Sequence, residues 1–467
     1  MDDQLKPNWL HEPHDVNAVD EKVWPRHMVR ASSGEVEIAG VAARSLVAEF
    51  GTPLYVIDED DFRARATGVK TVFERAAASI GTSAKVYYAG KVFLTAEIAH
   101  WVNELDLNLD VASGGEFAAA IAGGVPAERI GYHGNNKSTR EIARAVSAGV
   151  GAIVIDSEAE IERVAAAAAA QDKVQKVRLR VNTGVHANTH DYLATAREDQ
   201  KFGVSMADAP ALVARIREFN HLEFLGVHSH IGSQIYSRDG FVEAVRRTVA
   251  LHAELSNHGP VPELNLGGGF GVNYKPGDEA PSVTDFAEDI AVAVKVECHK
   301  HQIAVPVLAF EPGRYIAANP GVTLYTAGTI KDVTLADQHD AVRKYVSVDG
   351  GMSDNARTAL YAADYHAIIA SRASEAKPAL ARVVGKHCES GDIVVRYDYL
   401  PADVTSGDIL AVAATGAYCY SLSSNYNMLT KPAVVAVRSG SARAIVRAET
   451  EADLFARDVR YQANGNG

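Results

Sequence analysis

The sequence predicts an α/β protein with an additional all-β part, in which a (β/α)8 TIM-like barrel is inserted in a C-terminal β-sandwich or β-barrel domain. Between residues 62 and 320, eight β-type runs alternate with helical stretches, which is the pattern of a parallel barrel. After residue 320 the alternation ends, and β-type runs follow one another with turn residues between them. A chain of 467 residues is long enough to form both domains.

The eight barrel strands are predicted from short runs that are rich in β-branched and aromatic residues. They begin near residues 84, 106, 129, 151, 175, 221, 261 and 305. An open doubly wound sheet is the competing arrangement, and the count of eight favours the barrel. Three intervening helices open with the Ser-x-x-Glu pattern of a capping box, at Ser113/Glu116, Ser138/Glu141 and Ser157/Glu160.

The segments outside the barrel are assigned to an extension and to the β domain. Residues 1–34 are predicted to be an irregular N-terminal extension, and the composition of its first part favours disorder. Residues 35–61 are predicted to hold two short strands around a helix and to join the β domain. The predicted boundaries are therefore 62–320 for the barrel and 321–467 for the C-terminal β domain.

Composition and charge exclude several classes of protein. The net charge of −13 argues against a nucleic-acid or anionic-membrane partner, because both require a basic surface. Three cysteines, Cys298, Cys388 and Cys419, are too few for a disulfide framework and fit a reducing compartment. The N-terminal residues show no signal-peptide pattern, and no apolar run reaches membrane-spanning length. These features predict a cytoplasmic protein.

Polar residues cluster after the ends of the predicted barrel strands, where a barrel of this kind carries its active site. They are Lys91, Asp110, Ser113, His133, Asn135, Arg180, Asn182, His228, His230, the glycines 267–269 and the segment Glu311–Arg314.

Lys91 follows the first predicted strand, AKVYYA, and its amine could form a Schiff base with an aldehyde cofactor. Most lysines at such positions are solvated loop residues, so Lys91 indicates a function only together with other motifs. The glycine loop LGGGFG leaves backbone N–H groups accessible to a phosphate, and Arg314 could add a second contact. A simple glycine-rich turn is the alternative.

Glu311 could keep a pyridine nitrogen protonated, so that the ring withdraws electrons from a bound imine; its alternative role is an ion pair with a neighbouring arginine. The histidines of HSHIGSQ could stack on a flat ring. We favour His230 over His228, because the glycine and Ser233 that follow it resemble a second phosphate contact.

The β domain supplies two further groups of candidate residues. Cys388 and Glu389 lie in a predicted turn, where the thiol could donate a proton and the carboxylate could hold an ammonium group. A small buried cysteine is the alternative. Arg357 and Tyr361 suit a carboxylate, and the Tyr418 hydroxyl could reach a phosphate or a cofactor ring.

Seven motifs of the chain together resemble the meso-diaminopimelate decarboxylases, which are pyridoxal-phosphate enzymes with the alanine-racemase-like fold. The motifs are YAGK, HGNNKS, HSHIGSQ, LGGGFG, EPGR, CES and GAYCYSLSSNYN, and the resemblance covers about residues 35–450. Two positions depart from the family pattern: Val92 follows the lysine where alanine is usual, and GKH precedes CES where GPx is common. Neither departure removes a functional group.

The resemblance implies a role for each candidate residue. Lys91 would be the Schiff-base lysine, His230 would stack on the ring, and Cys388 would be the proton donor. The other residues implied to bind cofactor are Ser233, Gly269, Glu311, Pro312, Gly313, Arg314 and Tyr418. The residues implied to bind substrate are Arg314, Arg357, Tyr361, Glu389 and Tyr418.

The resemblance also implies a reaction and an assembly. The reaction is decarboxylation of meso-2,6-diaminopimelate at its D-centre to L-lysine, and the assembly is a homodimer in which CES comes from the partner subunit. A decarboxylase of ornithine, lysine or arginine is a rival, although a substrate without a distal carboxylate would leave Arg357 without a purpose. An alanine racemase is disfavoured by Glu311, because that enzyme has an arginine at the pyridine nitrogen. A catalytically inactive binding protein of the same fold is disfavoured by the presence of Lys91, Glu311 and Cys388.

Overall fold

The structure is a computed structural model that describes residues 5–185, 201–335 and 341–463. The chain divides into two compact units. The first, here called the β unit, comprises Met1–Phe62, Asn273–Asp278 and Ala317–Gly467, and the second, called the barrel unit, comprises Arg63–Val272 and Glu279–Ile316.

The N-terminal elements lie close to where the sequence predicts two strands and a helix. They are β1 Met28–Arg30, β2 Val36–Ile38, β3 Val41–Ala42, α1 Ala43–Phe50 and β4 Leu54–Asp58. The first three strands form a small antiparallel sheet of their own. The expectation of disorder in the first part of the extension is wrong for its described residues. Leu10 and Trp24 are buried, and the Asn17 side chain exchanges two hydrogen bonds of 2.8 Å with the backbone of Ser374.

The barrel unit is built from alternating strands and helices. They are α2 Glu59–Ser79, which begins in the β unit, β5 Ala84–Ala89, α3 Ala96–Glu104, β6 Asn108–Val111, α4 Gly114–Ala122, β7 Ile130–Tyr132, α5 Thr139–Ala148, β8 Ala152–Ile155, α6 Glu158–Ala169, β9 Gln175–Asn182, β10 Val204–Ser205, α7 Ala209–Arg217, β11 Leu222–His228, α8 Asp239–Ser256, β12 Glu263–Asn265, α9 Val283–Lys300, β13 Val307–Phe310 and α10 Arg314–Ala317.

Eight of these strands form a closed parallel barrel, which confirms the predicted fold class. The strand order is β9-β11-β12-β13-β5-β6-β7-β8, and a further pairing between β8 and β9 closes the ring. This pairing decides against the open sheet. The two-residue strand β10 adds to β9 outside the ring. Because all eight strands run in the same direction, their carboxyl ends meet at one mouth of the barrel.

Aromatic side chains hold the carboxyl ends of the last strands against the surrounding helices. Phe270, within the glycine loop, stacks on Phe241 of α8 with ring centroids 4.9 Å apart. Phe310, at the end of β13, stacks on Phe73 of α2 at 3.9 Å. All four rings are buried, so the segments that carry the loop and Glu311 are anchored by apolar packing.

The C-terminal part of the β unit is a mixed sheet with a few short helices. Its elements are β14 Gly321–Leu335, β15 Ala341–Val348, α11 Arg357–Tyr361, β16 Ala367–Ile369, β17 Pro378–Val384, β18 Ile393–Pro401, β19 Ile409–Val412, β20 Ala433–Arg438, β21 Ser441–Val446, α12 Glu451–Phe455 and α13 Val459–Ala463. The main sheet has the order β18-β17-β15-β14-β4-β20-β21, in which the early strand β4 pairs with β14 and β20. The sequence missed the helices because they are only five residues long.

The three predicted capping boxes have different outcomes. Ser138 and Glu141 form the full box at α5. The Ser113 side chain caps α4, but the Glu116 carboxylate accepts from the Ala112 N–H instead of returning to the cap.

The prediction for Ser157 is wrong, because its side chain makes no capping bond. Glu160 instead forms a fully buried ion pair with Lys137, at 3.0 Å, and accepts from the Asp156 N–H. Within the described residues, no helix combines the length and the apolar character needed to cross a membrane.

Candidate active site

Lys91 lies at the carboxyl end of the first barrel strand. It is the middle residue of a 3-10 turn, Gly90–Val92, that directly follows β5. The turn is anchored because Val92 and Phe93 are buried and the Tyr88 hydroxyl donates to the Phe93 carbonyl at 2.7 Å. The Lys91 side chain itself is exposed. The backbone is therefore fixed while the amine remains accessible.

Glu311 follows the last barrel strand, and two side chains donate hydrogen bonds to its carboxylate. Asn265 Nδ2 donates to Oε1 at 2.7 Å, and His228 Nε2 lies 3.2 Å from Oε2. Burial acts to raise the pKa of Glu311, but the imidazoles of His228 and His133 outweigh it and hold the pKa well below its usual value. Glu311 is therefore an ionised carboxylate in a buried position.

Asp110 is a second buried carboxyl group at the same mouth, and it behaves in the opposite way. Burial and the negative charge of Glu311 raise the pKa of Asp110 well above its usual value. His133 Nε2 lies 3.1 Å from Asp110 Oδ1 and 3.5 Å from Glu311 Oε1. Burial lowers the pKa of His133 to about 4, so this imidazole is neutral around pH 7. The pKa values of the two carboxyl groups at the mouth are therefore shifted in opposite directions.

The glycine loop after β12 packs closely against the segments on either side of it. A Cβ atom at Gly268 would lie 2.1 Å from the Glu311 carbonyl oxygen. A Cβ atom at Gly269, where φ is +108°, would lie 2.3 Å from the Gly232 carbonyl oxygen. Only glycine can occupy these positions, because a side chain would collide with the neighbouring backbone.

His230 and Arg314 lie next to this loop. His230 Nδ1 accepts a hydrogen bond from the Gly268 N–H at 3.4 Å. Burial, followed by the nearby charge of Lys91, lowers the pKa of His230 well below its usual value, so the imidazole is neutral. Arg314 Nη2 donates to Ser233 Oγ at 2.8 Å, which places a cation and a hydroxyl together. Pro312 and Gly313, which lead into Arg314, are buried.

Other polar residues of the predicted ring are engaged in local structure. Ser113 caps helix α4. The Asn182 side chain accepts from a backbone N–H two residues later. Arg180 lies over the Phe202 ring, 4.3 Å from its centroid. The presence of these three residues is explained by local structure. Asn135, the fourth, is exposed.

Arg357, in the β unit, is a nearly buried guanidinium surrounded by tyrosines. It is 7% exposed, and its Nη1 donates to the Tyr365 hydroxyl at 2.7 Å. Its guanidinium carbon lies 4.9 Å from the Tyr274 ring centroid and 5.9 Å from that of Tyr418. Burial opposes its charge, but Tyr274 and Tyr365 outweigh burial and raise the pKa of Arg357. A buried cation of this kind suits a carboxylate ligand.

Cys388 and Glu389 lie in the turn between β17 and β18, as the sequence indicates. Cys388 is exposed, whereas Cys298 and Cys419 are buried, so the alternative of a buried structural cysteine is wrong for Cys388. The Cys388 N–H donates to the Asn427 side chain at 3.1 Å.

Tyr361 and Tyr418 differ in their surroundings within the β unit. Tyr361 lies on the same short helix as Arg357 and is 67% exposed. Tyr418 has a φ of +65° and is partly buried beside Arg357. The sequence pairs Tyr361 with Arg357, but the rings that surround the guanidinium are those of Tyr274, Tyr365 and Tyr418.

Sequence reasoning missed several residues that hold the candidate groups in place. Asn265, which donates to Glu311, ends a strand only three residues long and forms no recognisable motif. Asp392, which lies close behind CES, accepts hydrogen bonds from both Met352 and His387. Both residues act through contacts with segments that are distant in the sequence. Only the position of Asp392 close after CES, in CESGD, could have identified it from the sequence.

Comparison with known proteins shows the family of this chain. A model described as pyridoxal-dependent decarboxylase, pyridoxal binding domain, matches residues 66–318. The diaminopimelate decarboxylase of Mycobacterium tuberculosis is 50% identical over 446 residues, covering 94% of this chain and 98% of its own. That of Bacillus subtilis is 41% identical over 433 residues, with coverage of 92% and 96%.

Solved structures agree with the sequence comparison. The crystal structure of diaminopimelate decarboxylase from M. jannaschii in complex with L-lysine matches with a TM-score of 0.86 at 30% identity. The match covers 93% of this chain and 98% of that one. The predicted resemblance and the predicted dependence on pyridoxal phosphate are confirmed, since the chain belongs to the diaminopimelate decarboxylase family of pyridoxal-dependent decarboxylases.

Proposed function

We propose that this protein uses pyridoxal 5'-phosphate to decarboxylate meso-2,6-diaminopimelate at its D-centre, releasing L-lysine and CO2 as the last step of lysine biosynthesis. The observation that carries the proposal is the buried, ionised Glu311 at the same barrel mouth as an exposed lysine and a glycine loop. The near-full-length similarity to diaminopimelate decarboxylases supports the choice of substrate.

The barrel mouth fits the phosphate and the ring of this cofactor. Ser233 and Arg314, beside the closely packed glycine loop, offer a hydroxyl and a cation to a phosphate. Glu311 offers a carboxylate to a pyridine nitrogen, and the neutral imidazole of His230 offers a flat surface. Lys91 offers the amine that would hold the cofactor covalently.

The residues of the chain divide the catalytic work between them. Pyridoxal phosphate, when bound, supplies an electron-accepting ring. Glu311 would keep a proton on the ring nitrogen, because its hydrogen bonds from Asn265 and His228 preserve its own charge. Cys388 donates the proton that replaces the lost carboxylate, a role that its exposed thiol permits.

Substrate selection is assigned to Arg357, with Tyr361, Glu389, Arg314 and Tyr418. Diaminopimelate differs from lysine and ornithine by a distal carboxylate, and Arg357 is a buried cation with the planar geometry to bind one. A decarboxylase of ornithine, lysine or arginine would leave that guanidinium without an anionic partner. An inactive binding protein would have no use for the set of Lys91, Glu311 and Cys388.

Three of the site residues could also act as metal ligands. One ligand atom from each of His133, His228 and Glu311 lies within 4.8 Å of the others. We assign this cluster to the cofactor, because the chain belongs to a pyridoxal-dependent family and Glu311 already accepts hydrogen bonds from Asn265 and His228. Dialysis against EDTA should leave lysine release unchanged, and loss of activity restored by a divalent cation would contradict the assignment.

We further propose a cytoplasmic homodimer with shared active sites. Leu360 and Tyr361 are more than 60% exposed, and Met428 is 55% exposed, which favours a surface that a second copy covers. We retain the domain assignment of residues 62–320 to the cofactor-binding barrel. Residues 35–61 and 321–467 then form the β domain, and 1–34 the N-terminal extension.

A reduction experiment tests the cofactor and reaction together. Purified protein should absorb as a bound aldehyde cofactor, and borohydride should fix the cofactor to the peptide that contains Lys91. Lys85, which lies on the strand that precedes Lys91 and pairs with Glu263, is the internal control and should stay unmodified. The untreated enzyme should release lysine from meso-diaminopimelate, and modification elsewhere or equal turnover of ornithine would refute the proposal.

A substitution tests the substrate assignment. Arg357→Ala should cost at least about 2–3 kcal/mol in kcat/KM for diaminopimelate, because it strands a charged partner. Arg382, which also lies over two tyrosine rings of the β unit, supplies the matched control, and Arg382→Ala should retain wild-type kcat/KM. Equal losses in the two variants would show that Arg357 only supports the fold.

A further inference from the structure

We infer that His387 and Asp392 form a positioning pair, which holds the turn of Cys388 against the turn that precedes the helix of Arg357. The inference rests on the proposed roles of Cys388 and Arg357. It also gives a purpose to His387, which lies in the GKH segment that departs from the family pattern.

Asp392 joins the two turns through a single buried carboxylate. Its Oδ1 accepts from the Met352 N–H at 2.6 Å. Its Oδ2 accepts from the His387 N–H at 2.8 Å and faces His387 Nδ1 at 2.9 Å. Because Nδ1 faces a carboxylate, it carries the proton of the imidazole. Three donors on one carboxylate that is 3% exposed restrict both turns at once.

The backbone around Asp392 leaves room for nothing larger than glycine. A Cβ atom at Gly351, where φ is +150°, would lie 2.4 Å from Asp392 Oδ1. A Cβ atom at Gly385 would lie 2.1 Å from Oδ2. The two turns are also joined directly, because the Lys386 N–H donates to the Gly350 carbonyl at 3.0 Å. The Asp392 carboxylate therefore occupies the space that a side chain at either glycine would need.

Contacts of the His387 ring and of the Cys388 backbone hold the Cys388 turn from a second direction. The His387 ring is fully buried and stacks on Tyr426, with centroids 5.6 Å apart and planes 5° from parallel. The next N–H, that of Cys388, donates to the Asn427 side chain at 3.1 Å. The turn is held by Asp392 on one side and by Tyr426 and Asn427 on the other, with the Cys388 thiol exposed.

The other turn leads to Arg357. Met352, bound to Asp392, precedes helix α11, which begins at Arg357. The Thr358 hydroxyl of this helix donates at 2.9 Å to the Val394 carbonyl, close behind Asp392 in the chain. One carboxylate thus holds the turn of the proposed proton donor in a defined position against helix α11. Proton transfer depends steeply on the position of the donor.

Three substitutions of His387 separate positioning from simple stability. His387→Ala removes the Nδ1 donor and the stacked ring. His387→Asn keeps an N–H donor close to the position of Nδ1, whereas His387→Gln moves that donor one bond further from the backbone. His27 supplies the matched control, because its N–H and its Nδ1 contact Asp58 Oδ2 at 3.3 and 2.9 Å.

The expected result is a loss of kcat that follows the Nδ1 donor. In holoenzyme normalised for bound cofactor, His387→Ala and His387→Gln should lower kcat at least about tenfold, because the donor sets the register of the thiol. KM for diaminopimelate should change less than about threefold, since Met352 still holds the other turn. His387→Asn and His27→Ala should keep kcat within about threefold of wild type.

A second readout does not depend on the reaction. The rate of Cys388 alkylation by iodoacetamide should change at least about threefold in His387→Ala and His387→Gln, because the thiol is displaced. It should stay at the wild-type value in His27→Ala and His387→Asn. Cys298 and Cys419 are buried and should remain unlabelled in every folded sample.

The outcomes separate this inference from the proposed function. Equal kcat and equal alkylation rates in the alanine, asparagine and glutamine variants would overturn the positioning role. A kcat loss in His27→Ala as large as that in His387→Ala would do the same. If the alanine variant does not fold, the asparagine and glutamine variants decide alone. Altered alkylation in an enzyme whose wild type releases no lysine would refute the proposed function and leave the positioning pair supported.

Discussion

Glu311 and Asp110 are both buried carboxyl groups at the barrel mouth, yet their pKa values move in opposite directions. The difference lies in the hydrogen bonds that the two carboxyl groups accept. Asn265 and His228 donate to Glu311, whereas within the described residues neither Asp110 oxygen accepts a hydrogen bond. Burial therefore dominates at Asp110 and is outweighed at Glu311.

The opposite pKa shifts predict different effects of two isosteric substitutions. Glu311→Gln should retain the cofactor after dialysis, because the glycine loop and Arg314 are unchanged, but kcat should fall at least about a hundredfold. Asp110→Asn keeps the size of a carboxyl group whose pKa is raised by burial and by Glu311, and it should keep kcat within about tenfold of wild type. Cofactor absorbance and lysine release measure the two effects. Near-normal turnover in Glu311→Gln would show that Glu311 is structural.

The raised pKa of another buried carboxyl group, that of Asp354, predicts that the stability of the protein depends on pH. Burial raises the pKa of Asp354 from 3.8 to about 7 in the folded protein. A raised carboxyl pKa gives a stabilising contribution that is complete below about pH 4 and lost as the pH rises through about 7. Lowering the pH from 8 to 5.5 should therefore raise the apparent Tm of the wild type more than that of Asp354→Asn.

Thermal unfolding at several pH values measures this difference. Asp332, an exposed carboxylate of the same unit, supplies the control, and Asp332→Asn should retain the wild-type pH dependence. Parallel Tm profiles for the wild type and Asp354→Asn would contradict the assignment.

At the scale of elements, helices α5 and α6 of the barrel begin with the same Ser-x-x-Glu pattern, but their serine and glutamate side chains make different contacts. At α5 the Ser138 side chain accepts from the N–H of Glu141, and the Glu141 carboxylate accepts from the N–H of Ser138. At α6 the equivalent Glu160 is drawn into an ion pair with Lys137, and Ser157 makes no side-chain cap. A buried cation outcompetes the exposed end of a helix for the same carboxylate.

This difference predicts unequal effects of two matched serine substitutions. Ser138→Ala should destabilise the first turn of α5 by about 1 kcal/mol, because it removes a capping bond. Ser157→Ala should change the stability of α6 by less than about 0.5 kcal/mol, because no such bond exists. Hydrogen exchange of the first amides of each helix measures both. Equal acceleration in the two helices would show that Ser157 also acts as a cap.

At the scale of the whole molecule, Lys91 and Cys388 lie in different compact units of the chain. The proposed dimer predicts that they act together across two chains. Mixing Lys91→Ala with Cys388→Ala under conditions of subunit exchange should restore about a quarter of the wild-type sites, because each mixed dimer has one intact site. Each variant alone, treated in the same way, should stay inactive. Confirmed exchange without recovered lysine release would show that the two residues act within one chain.

The alternation of strands and helices and the positions of most candidate residues could be predicted from the amino-acid sequence. Strands predicted near residues 84 and 175 begin at Ala84 and Gln175, because the runs that form them are short, β-branched and bounded by turn residues. Lys91, His230 and Glu311 were predictable for the same reason, since a parallel barrel places everything after its strands at one mouth. These properties are local in the chain.

The hydrogen bonds and the charges of those residues depend on contacts between segments that are distant in the sequence. Closure of the barrel depends on the pairing of β8 with β9, and the charge of Glu311 depends on Asn265 and His228, which come from other strands. The link from His387 through Asp392 to Met352 joins turns that are distant in sequence. Hydrogen bonds and desolvation depend on distances in space, and no periodicity along the chain encodes those distances.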